Sequence, residues 1–209
     1  MELSSKLMQE AVDAFSRMPG IGKKTALRLV LFLMQQEERE VKKITDAIIA
    51  LKEGIRFCER CNNIADNKLC SICSNPSRDH SAVCVVGNLR DLIAIESTHQ
   101  YKGEYHILGG VISPVEGIGP ENLQIETLIQ KSNSGDVNEI IMALNPTIEG
   151  DTTIYYISKK IREINPEMRI TTMARGIAFG GELEYTDEVT IARSLATRIP
   201  YDSYQSKND

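Results

Sequence analysis

The chain has 209 residues, 42% of them hydrophobic and only 5% aromatic, with no tryptophan and a formal net charge of −5. That length allows one sizeable core or two to three small domains, and the negative balance excludes a general attraction to DNA. Contact with nucleic acid would have to come from a local basic patch or from backbone amides, and the few aromatics argue against base stacking as its main device. No apolar run reaches membrane-spanning length, and the segment from Met1 to Phe15 carries charges throughout rather than a signal-peptide pattern. A soluble, cytoplasmic protein is expected.

Residues 1 to about 55 predict helices. Leu3, Leu7, Met8, Ala11, Val12 and Phe15 recur at helical spacing until Met18-Pro-Gly-Ile-Gly22 interrupts them. A second helix is expected from about Lys24 through Leu33. A third carries Val41, Ile44, Ala47, Ile48 and Leu51 on one face and closes near Gly54. Residues 57 to 80 show no hydrophobic period and predict a small module that cannot fold on apolar burial alone. From Ser81 strands and helices alternate. Strands are expected at Ala82 to Val86, Tyr105 to Leu108, Val137 to Leu144 and Met168 to Met173. Helices are expected at Leu89 to Glu96, Glu121 to Lys131 and Thr152 to Ile164. Strands joined by helical crossovers imply an α/β fold, a mainly parallel sheet with flanking helices, whose functional crevice lies beyond the carboxyl ends of the strands. A Gly-rich segment, Arg175 to Gly181, precedes a last helix through about Arg198, and the polar tail from Ser203 to Asp209 is expected to fray.

Four of the five cysteines form two pairs, Cys58-x-x-Cys61 and Cys70-x-x-Cys73, separated by eight residues. Each pair sets two thiolates on one side of a tight turn, and two such turns complete the tetrahedral sulfur site that Zn2+ prefers. With all four positions filled by protein the metal is structural rather than catalytic. The alternatives are two redox CxxC motifs, unrelated free thiols, or an iron-sulfur cluster. Cys84, inside an apolar strand, is most simply a small buried hydrophobe.

The string Met18-Pro-Gly-Ile-Gly-Lys-Lys-Thr-Ala-Leu-Arg28 has the form of a helix-hairpin-helix. Gly20 and Gly22 let the backbone turn tightly and approach a phosphate, and the amides that open the next helix then point at it. Lys24 and Arg28 are one helical turn apart and can reach neighbouring phosphates, with Lys23 assisting. Such contacts hold DNA without reading its sequence. The plain alternative is an ordinary turn with solvated lysines. Neither the P-loop pattern nor, at Gly117-Ile-Gly119, the dinucleotide fingerprint is satisfied. His80, His99 and His106 are far apart and pair with no nucleophile in a recognisable motif. His106 is expected to be packed or hydrogen-bonded.

The order hairpin, four-cysteine knuckle and α/β region closely resembles the RecR family of bacterial recombination mediators. The matching strings are Pro19-Gly-Ile-Gly22, the two CxxC pairs, Tyr105-His-Ile-Leu-Gly-Gly110, Ser113-Pro114, Gly117-Ile-Gly119, Asn145-Pro-Thr-Ile-Glu-Gly150, Ala174-Arg-Gly176, Gly180-Gly181 and Leu183-Glu-Tyr185. They span nearly the whole chain. The resemblance implies a Toprim domain, a ring-shaped homotetramer able to encircle DNA, and cooperation with RecO and RecF in loading RecA onto gapped single-stranded DNA. Toprim enzymes hold Mg2+ with a Glu after the first strand and an Asp-x-Asp pair after a later one. Here the first strand runs into Gly87-Asn88, a departure from the acid that the family pattern carries. A later loop offers Glu149 and Asp151, and Asp91 and Glu96 on the first helix are possible helpers. The set is too poor for two-metal catalysis.

Three classes therefore compete: a non-catalytic DNA-binding mediator, a Mg2+-dependent Toprim-type DNA-processing enzyme, and a zinc-stapled protein-interaction module. The hairpin favours the first over the third, and Gly87 favours it over the second. Because Toprim acids in the family serve partner contact, the resemblance makes Glu149 and Asp151 candidate partner-binding residues. The alternative is solvated loop acids capping a helix at Thr152. Arg175 faces either a phosphate or an acid of a neighbouring loop. The expected domains are 1–55 for DNA binding, 56–79 for the zinc module, 80–175 for the Toprim domain and 176–209 for the Gly-rich loop, helix and tail.

Overall fold

The computed structural model describes residues 3–200. The expected fraying from Ser203 onward lies outside the described residues. The chain divides into two units, Met1–Ile55 and Arg56–Asp209.

The first unit holds α1 (Lys6–Ser16), α2 (Lys23–Met34) and α3 (Glu38–Gly54). Ser5 caps α1, its hydroxyl accepting from the Met8 amide. Val12, Ala26 and Val30 form the buried centre, with Met8, Phe15, Ile21 and Leu27 packed around it. The three helices follow the sequence pattern. Among the described residues of this unit, however, little covers the apolar face of α3. Ile44, Ile48 and Leu51 are 46%, 56% and 61% exposed, and no α3 side chain is buried.

The second unit opens with a small hairpin, β1 (Arg56–Phe57) antiparallel to β2 (Ile64–Ala65), which carries the first cysteine pair. Then come β3 (Asp79–Val86), α4 (Leu89–Glu96), β4 (Gly103–Ile107), α5 (Ile125–Ser132), β5 (Glu139–Met142), α6 (Ile148–Ile164), β6 (Arg169–Thr172) and α7 (Glu188–Ala196). The sheet order is β4-β3-β5-β6, and every pair is parallel. Both faces of the sheet are buried, which is why its strands are apolar runs rather than alternating ones. Successive β3 residues point to opposite faces. Val83 and Val85 join the core of Leu128, Ile140, Met142, Ile157 and Ile161. Cys84 and Val86 join a second core of Leu92, Tyr105 and Ile107 that also contains Cys58, Cys61, Cys70 and Cys73. The cysteine module thus borrows a face of the sheet for its burial. It also hydrogen-bonds to the edge strand β4: the Ile107 amide donates to the Cys61 carbonyl at 2.9 Å, and the Asn62 amide group donates to the Ile107 carbonyl at 3.1 Å.

Two helices start elsewhere than periodicity predicts. Pro120 opens a short 3-10 turn, Pro120–Asn122, and the chain extends through Leu123, so α5 begins only at Ile125. α6 begins at Ile148 instead of Thr152. Thr147 is its cap, accepting from the Gly150 amide at 3.1 Å. The Glu-Gly-Asp string looks like a loop, but Gly150 serves close approach: a Cβ there would lie 2.0 Å from the Asn145 carbonyl oxygen. Glu149 and Asp151 are therefore not loop acids. They occupy the first turn of α6.

Candidate nucleic-acid interface, metal centre and crevice

The hairpin joins α1 to α2. Gly20 has φ +81°, a left-handed conformation open to glycine at little cost, and the Ile21 amide donates back to the Met18 carbonyl at 3.1 Å. Gly22 is extended and caps α2 without a side chain, and the first helical bond is Ala26 N–H to the Gly22 carbonyl at 2.9 Å. The amides of Lys23, Lys24 and Thr25 lie ahead of that bond, at the positive end of the helix. Lys23, Lys24 and Arg28 are all exposed. Among the described residues none of the three has an acidic partner within ion-pair distance, and α2 contains no acid.

Cys58, Cys61, Cys70 and Cys73 are all buried, and their sulfurs lie within 4.8 Å of one another. Cys61 and Cys70 Sγ are 3.5 Å apart. A tetrahedral Zn2+ with bonds of about 2.3 Å spaces its sulfurs by roughly 3.8 Å, so the group fits the ion. Tight turns build each pair. The Cys58 amide donates to the Asn63 carbonyl, Asn62 sits at φ +61° and its amide returns to the Cys58 carbonyl, while the Ser74 amide returns to the Cys70 carbonyl. The crowded sulfurs set their protons against one another: the hydrogen bond with Cys61 pulls Cys73 down to about 6, while the same contact and burial push Cys61 up. A bound cation removes that conflict by holding all four as thiolates. Cys84 is not part of the group, and burial pushes its thiol up to about 12.

Beside the cysteines lies a group that sequence reading missed. Glu104 is fully buried in β4, every residue of which is buried. Its carboxylate meets Arg60 Nε at 3.1 Å, Lys131 Nζ at 2.7 Å and His80 Nδ1 at 2.5 Å. Burial alone would raise this carboxyl, but the bonds from Lys131 and His80 and the charge of Arg60 outweigh it and hold it below the usual range. Arg60 belongs to the first cysteine turn, His80 to β3 and Lys131 to α5, so one carboxylate ties three elements together. The signal was present as an acid inside an apolar strand, where an ion is buried only with partners.

A cavity of about 680 Å³ opens beside α4 at the carboxyl ends of β5 and β6, lined among others by Asp91, Asn145, Arg175, Asp187, Thr190 and Arg193. This is the crevice the parallel sheet predicts. Arg175 faces an acid: its Nη1 donates to Asp151 Oδ2 at 3.0 Å and its Nη2 to Oδ1 at 2.5 Å. The guanidinium holds the Asp151 carboxyl below its usual range. Asp91 is the N3 member of a capping box, accepting from the Asn88 amide and side chain. Glu149 is exposed. Glu96 does not belong here. It lies at the far end of α4, roughly 10 Å along a helix of that length, where it binds Arg78 and accepts from the Tyr105 hydroxyl at 2.9 Å. His106 is buried with Nε2 on the Gln124 carbonyl at 2.7 Å, and burial lowers it to about 4, so it is neutral.

A helical hairpin with free cations, a buried four-thiolate centre and a Toprim-type parallel sheet define a zinc-bearing, multi-module protein of the nucleic-acid-handling class. Family comparisons agree module by module. They match RecR helix-hairpin-helix at residues 8–52, the four-cysteine zinc finger domain of RecR at 55–75, the Toprim domain at 81–174 and RecR C-terminal at 176–199. The chain is 54% identical to the recombination protein RecR of Amoebophilus asiaticus, covering 96% of this chain and all of that protein. It is 52% identical to the one from Flavobacterium johnsoniae over the full length of both, and 50% identical to that of Cytophaga hutchinsonii over 97% and 98%. The chain belongs to the RecR family, and its four cysteines form that family's structural zinc finger. No helix among the described residues is long and apolar enough to cross a membrane.

Proposed function

We propose that this protein is a non-catalytic DNA-binding mediator of recombinational repair, and that the hairpin is where it holds DNA. The observation that carries this is the exposed trio Lys23, Lys24 and Arg28, without acidic partners among the described residues, at the amide-rich start of α2. Backbone amides and three cations suit phosphates, and contacts to phosphates do not read bases. One hairpin alone would bind weakly, with Kd on the order of 10⁻⁴ to 10⁻⁶ M. Several copies in a ring-shaped homotetramer would raise the apparent affinity through effective concentration. The uncovered face of α3, with Ile44, Ile48 and Leu51 exposed, supports assembly with further copies.

The ring acts with RecO and RecF to load RecA on gapped single-stranded DNA, in the cytoplasm at the nucleoid. Glu149 and Asp151 contribute to partner docking. Glu149 is the freer of the two, because Asp151 is engaged by Arg175. The working domains are 1–55, 56–79, 80–175 and 176–209. The test is a DNA-binding assay with Lys24→Ala/Arg28→Ala, read beside fold and zinc content. Loss of binding by a folded, zinc-loaded variant supports the reading. Unchanged binding moves the DNA contact elsewhere. With Mg2+ or Mn2+ the wild type is expected neither to cut, relax nor prime DNA, and cleavage lost in Glu149→Gln would favour the enzyme instead.

A further inference from the structure

The Toprim fold implies a divalent cation held by carboxylates at the ends of the strands, and the residues present here do not fit one. Position 87 has no side chain to offer. A Cβ there would already lie 3.2 Å from Asp91 Oδ2, so the room is partly taken by Asp91 itself. The acids of the crevice, and Asp151 in the pocket that adjoins it, are committed to protein donors. Asp91 closes the capping box of α4, Asp187 caps α7 by accepting from the Thr190 amide at 2.9 Å, and Asp151 receives both arms of Arg175. The only group of three or more potential ligands among the described residues is the four cysteines. Asp151 has two further sources of positive potential: the start of α6, in whose first turn it lies, and Arg193, which lines both the crevice and the adjoining pocket that holds Asp151.

We infer that Arg175 is the built-in cation of this crevice. Its guanidinium takes the place at Asp151 that a divalent ion would hold in a catalytic Toprim domain, and it fixes the root of the segment that follows. The geometry suits both parts. A guanidinium cannot lose its proton, meets a carboxylate through two parallel bonds, and needs no water shell of its own. Arg175 lies three residues after the end of β6 and opens the Gly-rich stretch that leads to Leu183–Tyr185 and α7. The pair therefore links α6, where the candidate partner acids lie, to the C-terminal segment. Occupation of Asp151 by a basic group of another protein would compete with Arg175 and release that root.

The experiment uses the full, zinc-loaded chain and two readouts. The first is Mn2+ titration followed by electron paramagnetic resonance. The wild type is expected to take up no Mn2+, and uptake that is lost in Asp151→Asn would overturn the inference. The second is amide hydrogen exchange across residues 176–199. Arg175→Ala and Asp151→Asn are each expected to speed exchange by up to about fivefold, the range of a partly exposed ion pair. The double variant should be no faster than either single one, and the swapped pair Asp151→Arg/Arg175→Asp should restore slow exchange. Unchanged exchange in both single variants, or additive effects in the double, would show that the pair anchors nothing. The result is separable from DNA binding, which is carried by Lys24 and Arg28 in the other unit.

Discussion

The two units of this molecule solve the problem of burial differently. The sheet of the α/β unit is enclosed, with fifteen buried residues in the core that holds Ile157 and Ile161 and twelve in the core that holds the cysteines, and its C-terminal part, Phe179 through α7, is left without buried side chains. Among its described residues the helical unit buries three, Val12, Ala26 and Val30, and leaves the whole of α3 without a buried side chain. Its apolar residues are spent on surface: Leu7, Met34, Ile48 and Leu51 are all more than half exposed. A unit with so small a centre is organised to present faces and a hairpin. The larger unit supplies the rigid body, stapled by metal and by a buried carboxylate.

Breaking the staple gives the largest expected effect. Zinc removal, or Cys73→Ser, is expected to abolish cooperative melting of the α/β unit, since a structural zinc contributes about 10 kcal/mol or more to the modules it folds. Helical signal from α1 to α3 should persist. Purified protein should hold about one zinc per chain, by the four-thiolate geometry. Unchanged melting after chelation would refute the role given to the metal. Next comes Glu104→Gln, which leaves Lys131 and Arg60 without their buried counter-ion and should cost on the order of 3 kcal/mol by denaturant titration. The sign of its pH dependence is fixed. A carboxyl held below its ordinary value stabilises the fold above that value, about 4.3, and loses this contribution as pH falls through it toward the lower folded value. The difference in stability between wild type and Glu104→Gln should therefore shrink below about pH 4.3, and a difference that grows there would contradict the contacts described.

Core truncations sharpen the contrast between the units. Ile161→Ala, at a position with no exposure, should cost roughly 2–5 kcal/mol, whereas Val12→Ala in the helical unit should cost about 1–2 kcal/mol. Similar losses at the two sites would show that the helical unit is better packed than its three buried residues indicate. The smallest effect belongs to Asp151→Asn. Both partners of the Arg175 pair are partly exposed, so stability should change by less than about 1 kcal/mol.

Much of this was legible beforehand because local chemistry dictated it. The CxxC spacing named its four ligands, Gly20 and Gly22 named a tight turn, and the strands joined by helical crossovers named a parallel sheet with flanking helices. Misreadings arose where a residue has two uses. Gly150 looks like a loop former, yet it sits in the first turn of α6 because a side chain would strike the Asn145 carbonyl. Glu96 looks like a helper for a metal at the start of α4, yet α4 carries it to the opposite end, onto Arg78 and Tyr105. Arg175 left phosphate and acid equally open, and the return of β6 beside α6 decided for Asp151. The Glu104 cluster draws on residues from 60 to 131, a long-range meeting that no periodicity announces.

The central claim is that exposed cations at the start of α2 hold DNA by its phosphates. A salt series of binding to single-stranded and duplex oligonucleotides of unrelated sequence tests it most directly, comparing wild type with Lys24→Ala/Arg28→Ala at equal zinc content. Wild-type affinity should fall linearly on a log-log plot, with little dependence on sequence. The double variant should bind far more weakly, with a slope shallower by about 0.7 to 0.9 for each phosphate it no longer neutralises. A variant that keeps both the affinity and the slope of the wild type would contradict the claim and leave the hairpin as a structural turn.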